Sequence, residues 1–154
     1  MKTAAIAAFA LAAAACSHAT LPGTNIPAND QTKALLSTFT KYHDALEARD
    51  PAALIALAAP TYYDTGDSSR GIAPTDYKAL ETKLSHDFEK VNGLKLEATL
   101  KNIDVEGDKA NVDYFQVLRY AVVTPSGETW KSESDDARMR FVKVSGAWKI
   151  SSGL

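Results

Sequence analysis

Apolar side chains recur every three or four residues in the segment that follows Asp30. The recurring positions are Leu35, Phe39, Tyr42 and Leu46. This spacing places them on one face of a helix and predicts an amphipathic helix over residues 31–48. Asp30 is a residue type that helices favour as N-cap, so we expect the helix to begin there.

A second, shorter helix is predicted directly after the first. Asp50 followed by Pro51 combines a favoured N-cap with a residue that suits the first helical position. The sequence PAALIALA then ends before Pro60 and has almost no polar side chains, which predicts burial on most sides of the helix. Residues 61–74 are rich in Gly, Ser, Asp and Pro, so we expect a loop, or a short edge strand that leads into a loop.

The third predicted helix lies between Thr75, its expected N-cap, and Gly93, which we expect to close it in the left-handed conformation. Its apolar stripe consists of Tyr77, Leu80, Leu84, Phe88 and Val91. After Gly93 apolar and polar positions alternate to the end of the chain, which is typical of half-buried strands. Turn sequences at 106–108, 125–127 and 145–146 divide this region into four strands.

Strands joined by such brief turns pair as antiparallel neighbours. The sequence therefore predicts a single α+β domain over residues 30–154, with N-terminal helices packed on a four-stranded antiparallel meander. Strands of a dozen or more residues twist and curl, so we expect the sheet to form a half-open cone around the helices.

The first fifteen residues have the layout of a secretory signal peptide: a positive charge at Lys2, an apolar centre and a zone of small residues. They are too few to span a bilayer, which takes roughly 20 apolar residues. The only cysteine, Cys16, follows directly, and Ala-Ala-Ala-Cys resembles the lipobox of bacterial lipoproteins, in which the thiol carries the lipid. The alternatives are an ordinary cleavable signal with an incidental cysteine and, less favoured, a catalytic thiol, for which the neighbouring residues offer no activating charge.

Residues 16–29 contain two prolines, a glycine and no periodic pattern, so we expect a flexible, lipidated tether. Two or more acyl chains give stable anchoring without a membrane span. Ser17 after the cysteine, by resemblance to Gram-negative lipoproteins, favours the periplasmic face of the outer membrane. With an ordinary signal the protein would be secreted.

The charge balance argues against nucleic acid as a partner. The chain has 17 basic and 19 acidic side chains, and removal of residues 1–15 takes away only Lys2 and leaves an excess of three acidic groups. Binding to phosphates calls for a basic surface instead. We expect no nucleic acid partner.

The resemblance to a known family rests on two segments and on the change of period at Gly93 between them. These segments are KYHDALEARDPAALIALAAPTYYDTG and SGAWKISSG. They resemble the nuclear transport factor 2-like superfamily, which includes the ketosteroid isomerase and SnoaL-like groups. The resemblance covers residues 30–154 and implies a cone with a pocket between the concave sheet face and the first and third helices. It also implies that a homodimer through the other sheet face is frequent.

Ten side chains are candidates for lining this pocket: Tyr42, Tyr62, Tyr63, Asp64, Phe88, Tyr114, Gln116, Leu118, Tyr120 and Trp130. Gln116 is informative because an amide among apolar neighbours must be paired or face a cavity. The favoured interpretation is a satisfied structural amide, and the alternative is a ligand contact. Tyr62 and Tyr63 lie either in loop packing, which is favoured, or at the mouth of the pocket.

Candidates for acid/base catalysis are few. Asp64 is the best carboxylate and could be polarised by Tyr63 or Tyr114, but its neighbours are typical of a solvated turn. His43 is expected on the edge of the first helix, and His86 at the surface. We find no histidine in the predicted strands, which departs from the Asp/His pairing of several enzymes in the resembled family.

Arg138 and Arg140 have two interpretations. They could form an anion clamp for a carboxylate ligand, although cross-strand charge pairing on a solvated face is favoured. The sequence has no metal-ligand spacing, phosphate-binding glycine loop or nucleophile elbow, so we expect neither a metal nor a cofactor.

These observations favour an exported, lipid-anchored envelope domain that binds a small apolar or carboxylate ligand or interacts with a partner. The alternative is a small-molecule acid/base enzyme, an isomerase, dehydratase or hydrolase, in which Asp64 and a neighbouring tyrosine act as acid and base.

Overall fold

The computed structural model describes residues 19–154, in which three helices precede a four-stranded sheet. The helices are α1 (Asp30–Glu47), α2 (Pro51–Leu57) and α3 (Tyr77–Glu89). The strands are β1 (Tyr63–Asp64), β2 (Thr75–Asp76), β3 (Val91–Glu106), β4 (Lys109–Thr124), β5 (Gly127–Val144) and β6 (Ala147–Ser152). β3 to β6 form one antiparallel sheet in sequence order, so the predicted α+β meander is confirmed.

Helix α1 begins one residue earlier than expected, because Asn29 and not Asp30 is the N-cap. The Asn29 side chain accepts hydrogen bonds from the backbone N–H of Gln31 (2.9 Å) and of Thr32 (3.0 Å). The Thr32 hydroxyl in turn accepts from the backbone N–H of Asn29 (3.0 Å), which completes a capping box. Asp30 occupies the first turn, where a negative charge favours the helix dipole.

The cap of α2 is confirmed, but its burial was overestimated. The Asp50 carboxylate accepts from the backbone N–H of Ala53 at 2.9 Å, and Pro51 is the first helical residue. Only Leu54 within the helix is fully buried, because α2 lies at the edge of the core and turns one face to solvent.

Helix α3 departs from the expectation at both ends. Asp76 caps it by accepting from the backbone N–H of Ala79 (2.8 Å), while Thr75 lies in β2. The helix ends at Glu89 with Lys90 as its C-cap, and Gly93 belongs to β3 without a left-handed conformation. A Cβ on Gly93 would lie 3.0 Å from the ring of Trp130, so this glycine admits a close aromatic contact rather than closing a helix.

The core lies between the helices and the concave face of the sheet. Residues at alternate positions of β4 point inward, among them Val112 and Tyr114, and meet Met139 and Phe141 of β5. Phe39 of α1 packs edge-on against the Tyr114 ring, with 4.9 Å between ring centroids. This part of the cone is therefore filled by side chains.

The segment before α1 is packed, contrary to the expectation of a flexible tether. Leu21 and Ile26 are 2% and 6% exposed, and the backbone N–H of Leu21 donates to the Ile26 carbonyl at 2.8 Å. The tether expectation is corrected for residues 19–29, where two apolar side chains are enough to hold a short turn against the domain. The predicted signal peptide and Cys16 lie outside the described residues. Within those residues, no helix is both long and apolar enough to cross a membrane.

Candidate functional site

A cavity of about 490 Å³ opens between α1, α3 and the concave face of β4 and β5, with residues 64–75 along its mouth. Seven of the ten predicted pocket residues line it: Tyr42, Tyr62, Asp64, Phe88, Tyr114, Gln116 and Leu118. Apolar walls come from further residues that the sequence did not single out as pocket residues: Leu46, Ile72, Ala73, Leu84 and Leu154. The volume suits a small organic molecule.

Three buried tyrosines line the cavity, and all three are neutral at ordinary pH. Burial, with the neighbouring Tyr114 hydroxyl, raises the pKa of Tyr42 well above its usual value. Burial also raises the pKa of Tyr114, and burial raises the pKa of Tyr62 to about 12. A buried phenol that stays protonated is a hydrogen-bond donor on an otherwise apolar wall.

A chain of polar contacts crosses the mouth of the cavity. Gln116 on β4 donates to the Asp135 carboxylate on β5 at 2.8 Å, and Arg70 binds the other Asp135 oxygen at 3.1 Å. Arg70 also contacts Asp67 of its own loop at 3.2 Å. Its contact with Asp135 links this loop to the sheet. Gln116 is therefore a paired amide at the cavity wall, which agrees with the favoured structural interpretation.

Asp64 is a structural carboxylate in this arrangement. One oxygen accepts from the backbone N–H of Gly66 at 2.8 Å, and the other accepts from Ser152 Oγ (3.0 Å) and the backbone N–H of Gly153 (2.8 Å). These contacts fix the C-terminal residues beside the cavity, where the backbone N–H of Leu154 donates to the Tyr62 hydroxyl at 3.1 Å. Neither Tyr63 nor Tyr114, the expected polarising groups, is among the hydrogen-bond partners found for Asp64 in the described residues.

Three predicted pocket residues lie elsewhere. Tyr63 is 55% exposed on β1, where strand alternation turns it away from Asp64 and the cavity. Tyr120 lies farther along β4, and its hydroxyl donates to Glu133 at the surface. Trp130 lies on the outer sheet face against Gly93 and is 57% exposed. The expectation failed for Trp130 because the register pairs it with Ala121, which points outward.

His43 and Arg138 have structural partners. His43 lies 2.8 Å from the Leu96 carbonyl at the helix edge, and His86 is exposed, as the sequence predicts. Arg138 pairs with Asp113 directly across the strands, including a contact of 3.0 Å, and this pairing lowers the pKa of Asp113. The cross-strand interpretation therefore describes Arg138, which is also among the residues that line the cavity.

The sequence reasoning missed Asp135 and Arg70, yet a signal for Asp135 was present. Thr124 pairs with Gly127 across a two-residue turn, and the same register places Asp135 opposite Gln116. Counting outward from that turn would have joined the two polar residues on the inner face. Arg70 had no such signal, because its position depends on how the loop folds back over the sheet.

The fold is shared with solved structures of low sequence identity. A Kfla4162 protein from Kribbella flavida aligns with a TM-score of 0.70 at 13% identity, over 79% of this chain and 86% of that chain. A candidate scytalone dehydratase from Novosphingobium aromaticivorans aligns with a TM-score of 0.69 at 18% identity, over 79% and 80%. A candidate dehydratase of the NTF2-like family from Streptomyces avermitilis aligns with a TM-score of 0.67 at 16% identity, over 79% and 91%.

These likenesses establish the fold: the chain has the cone-shaped α+β architecture of nuclear transport factor 2-like proteins. No model of a protein family matches the sequence, and no curated protein matches it. Within residues 19–154, no group of three or more His, Cys, Asp or Glu side chains is placed to hold a metal ion.

Proposed function

We propose that the cavity binds a small, mainly apolar molecule that carries a hydrogen-bond acceptor, and that this binding is the function of the domain. The observation that carries the proposal is the combination of apolar walls with three lining tyrosines, Tyr42, Tyr62 and Tyr114, which burial keeps protonated. Apolar surface provides affinity, and the few polar groups orient the ligand.

The charges around the cavity favour a neutral or cationic ligand over a carboxylate. Its ionisable lining consists of the carboxylates Asp64, Asp67, Asp87, Asp135 and Asp136 and the cations Arg70, Lys83 and Arg138. Each of the three cations already contacts a carboxylate. A ligand carboxylate would have to break one of these pairs to gain a counter-charge, whereas a neutral acceptor such as a carbonyl oxygen breaks no ion pair.

Binding is favoured over acid/base catalysis because the candidate bases are already occupied. Asp64 accepts three hydrogen bonds, and Asp135 is held by an amide and a guanidinium. The oxygens that a catalytic base would turn towards its substrate are therefore already engaged by groups of the protein. Acid/base catalysis is a second candidate function. A neutral tyrosine beside a carboxylate can act as an acid/base pair, and the charge of Asp64 contributes to the raised pKa of Tyr62.

The cavity is tested by filling it. N-phenyl-1-naphthylamine, a neutral apolar probe, is expected to fluoresce on binding, and Leu118→Trp is expected to abolish this signal because the indole occupies the cavity. Arg119→Trp is the matched control, since Arg119 lies on the same strand, is exposed and does not line the cavity. Equal probe binding by both variants would show that the probe binds elsewhere and would refute the cavity as the site.

We further propose that the chain is exported and lipid-anchored through Cys16, on the periplasmic face of the outer membrane. Support comes from the sequence of residues 1–17. Labelled palmitate is expected to enter the wild-type chain and not Cys16→Ser. Incorporation that persists in Cys16→Ser would contradict the anchor, and equal secretion of both forms without label would indicate an ordinary signal.

We also propose a homodimer through the outer sheet face, where Phe115, Val123 and Trp130 are exposed. Exposed apolar side chains on one face are typical of an interaction surface. Sedimentation velocity is expected to show a dimer for the wild-type chain and a monomer for Trp130→Lys with Val123→Lys. A monomeric wild-type chain at high concentration would contradict the dimer.

A further inference from the structure

A second groove, separate from the cone cavity, lies between α1, the end of α2 and the β5–β6 hairpin. Its volume is about 490 Å³. Its charged lining consists of Lys41, Lys143 and Lys149, with one carboxylate, Asp30, at the N-terminal end of α1. Ser37 and Thr38 add hydroxyl groups on the α1 side, and Trp148 lies at the sheet side.

Two of these lysines are held in place by neutral groups. Lys149 Nζ donates to the Ala56 carbonyl at 2.6 Å, near the end of α2. Lys143 Nζ lies 4.9 Å from the centroid of the Trp148 ring, which is almost fully buried. A carbonyl and an aromatic face orient an ammonium group without cancelling its charge.

The groove lysines differ in this respect from the cations around the cone. Lys83, Lys95 and Lys101 each contact a carboxylate within 2.8 Å. In the part of the chain that the structure describes, no salt bridge involves Lys41, Lys143 or Lys149.

The charge of the groove is therefore mainly positive. Lys143 and Lys149 are both half-buried and line it together with Lys41. A concave surface lined by charges of one sign attracts ions of the opposite sign. An anion in the groove would supply the missing counter-charge, and the groove has room for one.

We propose that this groove is a binding site for an anionic group of phosphate type, held by Lys143 and Lys149 and closed on the other side by Lys41. The same chemistry is offered by free phosphate compounds and by the headgroups of anionic lipids. The site is independent of the cone cavity, and its existence does not depend on the function proposed for that cavity.

The test is an NMR titration of the ¹⁵N-labelled chain with inorganic phosphate, followed through the Trp148 indole and the Gly146 amide. Both signals are expected to shift and saturate, and the dissociation constant is expected to rise about tenfold in Lys143→Gln with Lys149→Gln, as for the loss of a charge-assisted contact. Lys131→Gln is the matched control, because Lys131 is exposed on β5 outside the groove. It is expected to bind phosphate as the wild-type chain does.

A second arm identifies the source of the anion. Vesicles of phosphatidylglycerol are compared with vesicles of phosphatidylcholine, using the same Trp148 signal in the Cys16→Ser chain. A response to free phosphate identifies a soluble anion, and a response to phosphatidylglycerol alone identifies a lipid headgroup. Shifts that are absent in both arms, or that persist unchanged in the double lysine variant, would overturn the proposal. Leu118→Trp is expected to leave these shifts intact, which separates this site from the cone cavity.

Discussion

Replacement of Asp64 by alanine separates a structural role of this carboxylate from a catalytic one. The change removes the acceptor of three hydrogen bonds, from the Gly66 and Gly153 backbone N–H groups and from Ser152 Oγ. These bonds join the loop at the cavity mouth to the C-terminal residues, which also line the cavity. In Asp64→Ala the three donors lose this acceptor and can hydrogen-bond only to water, in a half-buried environment.

The magnitude follows from the number and kind of these bonds. A hydrogen bond to a charged group contributes about 1.5–3 kcal/mol, but three bonds to one partly exposed carboxylate are not additive. We expect a loss of about 2–4 kcal/mol in the free energy of unfolding, and a fall in Tm of about 2–4 °C for each kcal/mol in a chain of this size. Asp64→Asn keeps one acceptor oxygen and is expected to lose about half as much.

Urea denaturation measures these differences, with Glu81→Ala as the control because Glu81 is exposed on α3. A free energy of unfolding for Asp64→Ala within about 0.5 kcal/mol of the wild type would refute the structural role. If Asp64 were instead a catalytic base, the variant would lose turnover while keeping its stability. The two outcomes are therefore distinguishable in one set of samples.

Three further predictions concern the mouth of the cavity, its tyrosines and the start of α1. Arg70→Ala is expected to accelerate both binding and release of the neutral probe in stopped-flow fluorescence, because the contact between Arg70 and Asp135 crosses the mouth. Arg119→Ala is the control, because it breaks a pair with Glu97 (3.4 Å) on the outer face and should leave both rates unchanged. If Arg70→Ala and Arg119→Ala changed the rates equally, the contact between Arg70 and Asp135 would not control access to the cavity. Tyrosinate absorbance is expected to show Tyr62 ionising near pH 12 in the folded chain. In the unfolded chain this hydroxyl has a pKa of about 10, so the free energy of unfolding should fall as the pH rises from about 10 to the pKa of Tyr62 in the folded chain. Tyr62→Phe is expected to remove this pH dependence. An unchanged pH dependence in Tyr62→Phe would contradict the prediction. In urea denaturation, Asn29→Ala is expected to lower the free energy of unfolding by about 1 kcal/mol, because Asn29 forms the capping box. Asp30→Ala is expected to lower it clearly less. The reverse order would indicate that Asp30 is the N-cap.

One end of the cone is filled by side chains and the other is open, so substitutions at the two ends are expected to have different effects. Phe39, Val112 and Phe141 pack the filled end and are almost fully buried, so substitutions there act on stability first. Leu118 and Gln116 lie towards the open end and are half-buried, so substitutions there act on the cavity at less structural cost. Ligand preference can therefore vary while the fold is kept.

The periodicity of the chain alone determined its elements and their order. The spacing from Leu35 to Leu46 requires a helix with one apolar face, and the alternation after Gly93 requires strands. Strands that are joined by brief turns must pair as antiparallel neighbours. These are local constraints, which is why the fold class and seven of the ten pocket candidates could be found from the sequence.

Only the tertiary structure decided which face each strand residue takes and which polar groups meet. A shift of one residue reverses the face of a strand, and irregular pairing between Val91 and Gly93 and between Leu100 and Asn102 makes such shifts hard to count. Trp130 lies outside the cone although the sequence suggested its lining, because β5 pairs it with Ala121 and places it against Gly93 on the outer face. Arg70 meets Asp135 across 65 residues of chain, and the capture of Asp64 by the C-terminal residues likewise depends on distant segments. Contacts between segments so far apart follow from packing, because no local pattern encodes the distance between them.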